Sequence, residues 1–115
     1  MSPRHELDAR RERAATNQSR FREVNEGIEE LDPVSSFVEF VCECAQRECT
    51  KHVALTAEEY ERVRRNPNHF FVLSGHEDLA VEEIVARSDR WVVVAKLGAG
   101  AAVAEQLDPR QRLSE

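Results

Sequence analysis

Cys42-Glu43-Cys44-Ala45-Gln46-Arg47-Glu48-Cys49 holds all three cysteines of the 115-residue chain. In structural sites Zn²⁺ takes four ligands in a tetrahedron, and thiolates are among its preferred ligands. Three thiols on one short segment therefore predict a metal site whose fourth ligand comes from another part of the chain. A small domain gains much stability from such a site, because its apolar core is limited.

The residues on either side of the cysteines predict a hairpin. Ser35 to Cys44 reads as a strand in which Cys42 and Cys44 point to the same face. Lys51 to Leu55 predicts a second strand that returns antiparallel to the first. The polar residues 45–48 predict a loop that brings Cys49 back to the other two thiols. The metal would then lie at the tip of the hairpin, as in a zinc ribbon.

Histidine is the expected fourth ligand, and the chain has four. We favour His76, which lies in a turn between two predicted elements. Gly75 permits an unusual backbone there, and we expect Glu77 to orient the imidazole from the second coordination shell. His52 is the alternative, because it lies three residues after Cys49 and would close the site locally.

The two remaining histidines fit the ligand role less well. His69 precedes Phe70 and Phe71 and is predicted at the edge of a strand. His5 lies in the first residues of the chain, where termini commonly fray.

Other interpretations of the cysteines stay open. Free cysteines are often buried and inert, and an iron–sulfur cluster would use the same ligands, although we rank it below zinc. A redox thiol activated by Arg47 or Lys51 is the main alternative to a metal site, but Glu43 and Glu48 oppose thiolate formation. A disulfide is disfavoured, because an odd count leaves one thiol over and the chain begins without an apolar signal segment.

Charge is distributed unevenly along this acidic chain. The net charge is −6, yet residues 1–22 hold six arginines against three acids. The acidic remainder argues against a nucleic-acid groove, although the first segment keeps that role as a further alternative. In that role, the candidate contacts to nucleic acid are Arg10, Arg11, Arg13, Arg20 and Arg22. The longest apolar run, Trp91 to Ala95, has the length of a strand and not of a membrane span.

Residues 4 to about 31 predict a long N-terminal helix. Its apolar stripe comprises Leu7, Ala14, Phe21, Val24, Ile28 and Leu31. We expect this stripe to pack on its own domain, because it spans too few heptads for a convincing coiled coil. Asp32-Pro33 ends the helix, since the residue before proline avoids the helical region.

The residues after the hairpin predict two further helices and two further strands. Thr56 and Glu59 form a capping box at the start of a helix, which Asn66-Pro67 ends. Phe70 to Leu73 predicts a third strand and Glu77 to Arg87 a short helix. Trp91 to Lys96 predicts a fourth strand, central in its sheet because it is apolar on both faces.

The whole pattern predicts an α+β fold with a small mixed or antiparallel four-stranded sheet, helices packed on it and a zinc-ribbon-like loop. We expect a frayed or flexible helical N-terminus over residues 1–16 and one zinc-binding domain over residues 17–97. Residues 98–115 are expected to form a flexible C-terminal tail with room for a stub helix.

Two resemblances bear on the cysteines. Their C-x-C-x4-C spacing resembles the post-SET zinc segment of histone lysine methyltransferases, which borrows its fourth ligand from elsewhere, but the match covers only the cluster. A wider pattern runs from Asn17 to Lys96. It comprises Phe21-Arg22-Glu23-Val24-Asn25-Glu26-Gly27-Ile28-Glu29, Phe40-Val41-Cys42-Glu43-Cys44, Cys49-Thr50-Lys51, Leu55-Thr56-Ala57-Glu58-Glu59-Tyr60 and Gly75-His76-Glu77.

This wider pattern resembles a group of small proteins of unassigned function, chiefly from actinobacteria and their relatives. The three cysteines and the Gly-His-Glu turn belong to the group's pattern, so the resemblance implies His76 over His52 as the fourth ligand. Proline commonly precedes the Gly-His-Glu in that group, and Ser74 replaces it here. The group offers no function to carry over.

These observations predict a small cytoplasmic zinc-binding protein with a structural Cys3His site. We expect an interaction or regulatory domain and not an enzyme, because no phosphate loop, nucleophile elbow or carboxylate pair is visible. The alternative is a thiol and zinc redox sensor. The expected partner is another protein, with nucleic acid and membrane not expected, and the chain is expected to be a monomer or a homodimer.

Overall fold

The computed structural model describes residues 3–31 and 37–110. The elements in chain order are α1 Pro3–Leu31, β1 Val38–Val41, β2 His52–Leu55, α2 Ala57–Arg64, β3 His69–Leu73, β4 Glu82–Arg87, β5 Trp91–Lys96 and α3 Ala99–Gln106. The predicted α+β class is confirmed. The predicted helix end at Asp32-Pro33 and strand start at Ser35 lie outside the described residues.

The prediction of one four-stranded sheet is wrong. The described strands form a two-stranded sheet, β1-β2, and a three-stranded sheet in the order β3-β5-β4, both antiparallel. β1 ends at Val41, so the strand predicted to reach Cys44 is too long. The cysteine segment instead bridges the two sheets, because the Glu43 N–H donates to the Phe71 carbonyl at 3.1 Å.

The helix predicted over Glu77 to Arg87 is also wrong, because Glu82–Arg87 forms the strand β4. The β-branched side chains of Ile84 and Val85 favour a strand. The second reason is tertiary, since β4 pairs with one side of β5 and supplies ladder partners that β5 would otherwise lack. β5 is the central strand of its sheet, as its apolar character on both faces predicted.

The long helix α1 is confirmed, but its buried face differs from the predicted apolar stripe. Val24 and Leu31 are 50% and 87% exposed. The buried residues of α1 are Ala14, Ala15, Gln18, Ser19, Arg22 and Asn25. Hydrogen bonding selects this polar face, because α1 packs against a loop whose backbone groups and buried carboxylate need partners.

The apolar core lies between the hairpin, α2 and β3. The Phe40 and Tyr60 rings stack with centroids 4.5 Å apart, and Phe71 meets both edge-on at 6.0 Å. The capping box that begins α2 is confirmed, since Thr56 and Glu59 exchange side-chain and backbone hydrogen bonds. This cap fixes where α2 starts and hence how Tyr60 enters the core.

A short helix, α3, is present in the segment where a stub helix was predicted. It packs against α1, and Gly100 lies at the contact, where a Cβ atom would come within 2.9 Å of the Arg11 carbonyl oxygen. The domain limits at residues 16 and 97, and the flexibility of the flanking segments, stay predictions. None of the described helices has the length and apolar character needed to cross a lipid bilayer.

Candidate metal centre

The hairpin turns at the cysteine segment and brings its three thiols together. The Cys42 N–H donates to the Lys51 carbonyl at 2.9 Å, which continues the hairpin by one pair beyond β1. The Cys49 N–H donates to the Gln46 carbonyl at 3.0 Å, which closes a tight turn. The predicted loop at the hairpin tip therefore exists, with Cys42 and Cys44 on its first arm.

His76 approaches the thiols from the turn after β3. The backbone N–H of His76 donates to the Leu73 carbonyl at 2.8 Å. Gly75 adopts a φ of 96°, which residues with a side chain rarely adopt. The Glu77 carboxylate accepts the Gly75 N–H at 2.8 Å. Glu77 thus stabilises the turn that carries His76, and its predicted role toward the metal stays a prediction.

The four candidate ligands are close enough to share one ion. The sulfurs of Cys42, Cys44 and Cys49 and a ring nitrogen of His76 all lie within 4.8 Å of one another. His76 Nδ1 is 3.7 Å from Cys42 Sγ and 3.6 Å from Cys49 Sγ. In tetrahedral zinc, bonds of about 2.3 Å to sulfur and about 2.0 Å to nitrogen place the sulfur and the nitrogen about 3.5 Å apart. The two nitrogen–sulfur distances therefore fit a shared zinc ion.

The surroundings of the four candidate ligands combine burial with a backbone hydrogen-bond donor. Cys42 and Cys44 are buried, and Cys49 and His76 are half-buried. The Leu73 N–H donates to Cys42 Sγ at 3.2 Å, a contact that stabilises negative charge on that sulfur. The site is therefore shielded from water on the Cys42 side and accessible on the Cys49 side.

The thiols also perturb one another. The hydrogen bond from Cys42, with a further contribution from His76, lowers the pKa of Cys44 to about 5 against the opposing effect of burial. The same hydrogen bond and burial raise the pKa of Cys42. Burial raises the pKa of Cys49. Without a cation the cluster thus favours one thiolate, whereas a bound cation compensates the charge of all three.

The other histidines do not belong to this group within the described residues. His52 is exposed and pairs with Val41 in the hairpin ladder. His69 begins β3, as predicted for a strand-edge residue. His5 lies on the exposed side of the first turns of α1.

A polar clamp from α1 fixes the cysteine segment, and sequence reasoning missed it. The buried Arg22 guanidinium donates to both carboxylate oxygens of the buried Glu43, at 2.9 and 2.8 Å. Gln18 Nε2 donates to the Glu43 carbonyl at 2.8 Å. Asn25 exchanges two hydrogen bonds with the Val41 backbone at 2.9 and 2.8 Å. The backbone on both sides of Cys42 is therefore held by one helix.

A signal for this clamp does exist in the sequence. Residues 18, 22 and 25 follow the four- and three-residue steps that place side chains on one helix face. The arginines of α1 were considered only as candidate nucleic-acid contacts, so this polar stripe was not considered as a buried face. Gln18 also donates to Glu82, whose carboxylate pairs with Lys96 at 3.0 Å, so the network continues into the second sheet.

The arginines proposed as nucleic-acid contacts are partly committed to the fold. Arg22 is only 2% exposed. Arg10 pairs with Asp78 at 2.8 Å, and Arg11 donates to the Ala80 carbonyl at 3.1 Å. These contacts fasten α1 to the loop before β4, and Arg13 and Arg20 remain at the surface.

Comparison with known proteins adds no assignment. No protein-family model matches the chain, and neither the curated proteins nor the solved structures give a significant match.

Proposed function

We propose that this chain is a zinc-binding protein whose Cys42, Cys44, Cys49 and His76 hold a structural Zn²⁺ ion, and that it acts as an interaction or regulatory domain. The observation that carries the proposal is the convergence of four soft or borderline ligand atoms within 4.8 Å. Thiolate and imidazole ligands in this number favour zinc over the hard cations, which prefer oxygen.

A structural role is favoured over a catalytic one. Catalytic zinc keeps one coordination position for water or substrate, whereas three thiolates and an imidazole complete the tetrahedron. The cysteine segment also joins the two sheets and α1, so an ion bound there would fix the positions of all three. We therefore propose a binding or regulatory role and no enzymatic activity. Reduced thiols are typical of the cytoplasm, and we propose that location.

The first experiment is native mass spectrometry of protein purified without added metal, repeated after acid denaturation. A mass excess of one zinc ion that disappears on denaturation is the expected result. X-ray absorption at the zinc edge should then show a sphere of three sulfurs and one nitrogen. A metal-free mass with three reactive thiols would overturn the proposal.

The assignment of the fourth ligand has a matched pair of variants. His76→Ala should weaken zinc binding by at least about a hundredfold, because even residues outside the coordination sphere are worth 10–100-fold. His52→Ala is the control, since His52 is exposed and outside the ligand group. If His52→Ala loses zinc and His76→Ala keeps it, the site closes locally and the proposed ligand set is wrong.

A thiol and zinc redox sensor is the second candidate, favoured by the partial exposure of Cys49 among closely spaced sulfurs. Peroxide would oxidise one thiolate to a sulfenic acid, and a second thiolate would displace hydroxide to form a disulfide and release zinc. Titration with peroxide and a zinc-responsive dye tests this role. Retention of zinc by the folded protein at modest peroxide excess would exclude it.

The Gly-His-Glu turn that carries the resemblance to the small actinobacterial proteins also supplies the fourth candidate ligand. This coincidence supports, as a proposal, placement of the chain in that group. The partner is proposed to be another protein, because half of the arginines of residues 1–22 are used within the fold: Arg10, Arg11 and Arg22. Monomer and homodimer both stay open as predictions.

A further inference from the structure

A second concave site lies between α2 and the three-stranded sheet. Its cavity of about 390 Å³ has buried Val63 of α2 and Val93 of β5 in its wall, with the half-buried Trp91 beside them. Cavities of about 300–1,000 Å³ with apolar walls are typical of small-molecule sites. The cavity shares no residue with the Cys3His cluster, so it is a separate site from the candidate metal centre.

A β-bulge adds an exposed apolar side chain to this wall. In the β4-β5 ladder Ile84 faces Val94 and Ala86 faces Val93, which leaves Val85 as an extra residue between them. Bulges redirect side chains and are frequent beside functional sites. Val85 is 44% exposed and lines the cavity, so the site presents apolar surface that no described residue covers.

The charged groups at the cavity favour an anion. Arg62 and Arg87 line it together with the single carboxylate of Glu59. Glu59 accepts the Thr56 N–H in the helix cap, so that carboxylate already has a structural contact. Arg62 contacts Glu58 at 3.7 Å, but both side chains are largely exposed, and such pairs contribute little. Within residues 3–31 and 37–110, the Arg87 side chain has no ion-pair partner.

We propose that this cavity binds a small organic carboxylate with an aromatic or branched apolar body. The body would pack between Val63, Val85 and Trp91, and the carboxylate would meet the guanidinium groups of Arg62 and Arg87. Guanidinium groups bind carboxylates through paired, charge-assisted hydrogen bonds, which gives the site its preference for an acid over a neutral molecule of the same shape.

His69 adds a neutral polar group to the same cavity. Burial, and then the charge of Arg22, lower the pKa of His69, so its imidazole is uncharged at neutral pH. A neutral imidazole offers both a donor and an acceptor. It can therefore hydrogen-bond a hydroxyl or carbonyl substituent on the ligand without changing the charge preference.

The test uses the full-length, zinc-loaded protein and Trp91, the single tryptophan of the chain, as the reporter. Phenylpropionate is titrated, and its uncharged analogue phenylpropionamide is titrated in parallel. We expect a saturable change in tryptophan fluorescence, with the acid about tenfold tighter than the amide. No saturable change with the acid, or equal affinity for acid and amide, would overturn the proposal.

Variants locate the binding. Arg87→Met and Arg62→Met should each weaken phenylpropionate binding about tenfold, because each removes a charge and keeps the aliphatic stem. Arg65→Met is the control: Arg65 lies at the C-cap of α2, and its exposed side chain is outside the cavity lining. An equal loss in Arg65→Met would show general charge attraction and would overturn the site.

One further variant tests the apolar wall without removing a cation. Val85→Glu places a carboxylate in the cavity and should abolish phenylpropionate binding, with zinc content and melting temperature unchanged because Val85 is exposed. Retained binding in this folded variant would overturn the proposed pose. Zinc is quantified in every sample, so failure of the carboxylate site is distinguishable from failure of the metal site.

Discussion

At the residue scale, Glu43 connects the chemistry of the cysteines to the packing of the chain. It lies between Cys42 and Cys44, is fully buried, and accepts hydrogen bonds from Arg22, Asn25 and the Phe71 N–H. A carboxylate in this position is tolerated because a guanidinium neutralises it and donors satisfy its oxygens. The local sequence therefore serves two purposes, since Cys42 and Cys44 on either side of Glu43 belong to the group of candidate metal ligands.

Neutralising Glu43 should destabilise the fold, because the charge of Arg22 would then be buried without a counter-charge. Glu43→Gln leaves that guanidinium without its counter-charge, and we expect a loss of about 3–5 kcal/mol in the free energy of unfolding, measured by urea denaturation with zinc present. Glu39→Gln is the control on the exposed face of the same hairpin and should change stability by less than about 0.5 kcal/mol.

A double variant separates the ion pair from a general effect of substitution at this position. Arg22→Met combined with Glu43→Gln removes both charges. The double variant should therefore lose less free energy of unfolding than the sum of the losses in the two single variants. Simple additivity of the two losses would show that the pair is not energetically coupled.

At the element scale, local signals predicted some elements and tertiary contacts decided others. The start of α2 followed from Thr56 and Glu59, because a capping box is satisfied entirely by neighbouring residues. Glu82–Arg87 lies in a segment that was predicted as helix, and its pairing with β5 is the tertiary reason why it is a strand. The buried face of α1 was missed for a similar reason, since its partners lie at Glu43 and Glu82, far along the chain.

The candidate ligands were more predictable than these elements. Thiols and imidazoles have few other reasons to occur in such spacing, so Cys42, Cys44, Cys49 and His76 could be nominated from the sequence. Their convergence could not be derived, because it depends on the pairing of the hairpin with β3 and on the backbone of Gly75.

The cap of α2 gives a prediction at this scale. Thr56→Ala removes the hydroxyl that accepts the Glu59 N–H at 3.0 Å, and we expect a loss of about 1 kcal/mol in the free energy of unfolding. Zinc stoichiometry should stay unchanged, because α2 contributes no ligand. The same substitution at Thr16, within α1, should be nearly neutral, and an equal loss there would argue against a specific cap.

At the scale of the whole molecule, the cysteine segment is where the two sheets and α1 meet. Its backbone contacts β3 through Glu43, and its carbonyl groups accept hydrogen bonds from Asn17 and Gln18 of α1. Loss of an ion from this point should therefore loosen the whole domain and not the hairpin alone. We expect zinc chelation, and equally Cys44→Ser, to lower the melting temperature strongly by circular dichroism; an unchanged melt would contradict a structural role for the metal.

A second meeting point lies around Glu26, the residue of α1 that follows Asn25. Its carboxylate accepts hydrogen bonds from Tyr60 of α2 at 2.6 Å and from Arg110, beyond α3, at 2.7 Å. Burial alone would raise the pKa of Glu26, but the hydrogen bonds from Arg110 and Tyr60 and the charge of Arg64 lower it to about 2. Glu26 thus links α1, α2 and the C-terminal segment through its ionised form.

Acid should weaken this link in a defined range of pH. The pKa of Glu26 is about 2 in the folded chain, against an ordinary value of 4.5. The ionised carboxylate therefore contributes its full stabilisation above pH 4.5, and this stabilisation is lost as the pH falls toward 2. Acid also releases zinc, so the useful quantity is the difference in unfolding free energy between wild type and Glu26→Gln. We expect about 1–2 kcal/mol at neutral pH, shrinking as the pH falls below the ordinary value. A difference that stays constant with pH would show that the carboxylate acts by shape and not by charge.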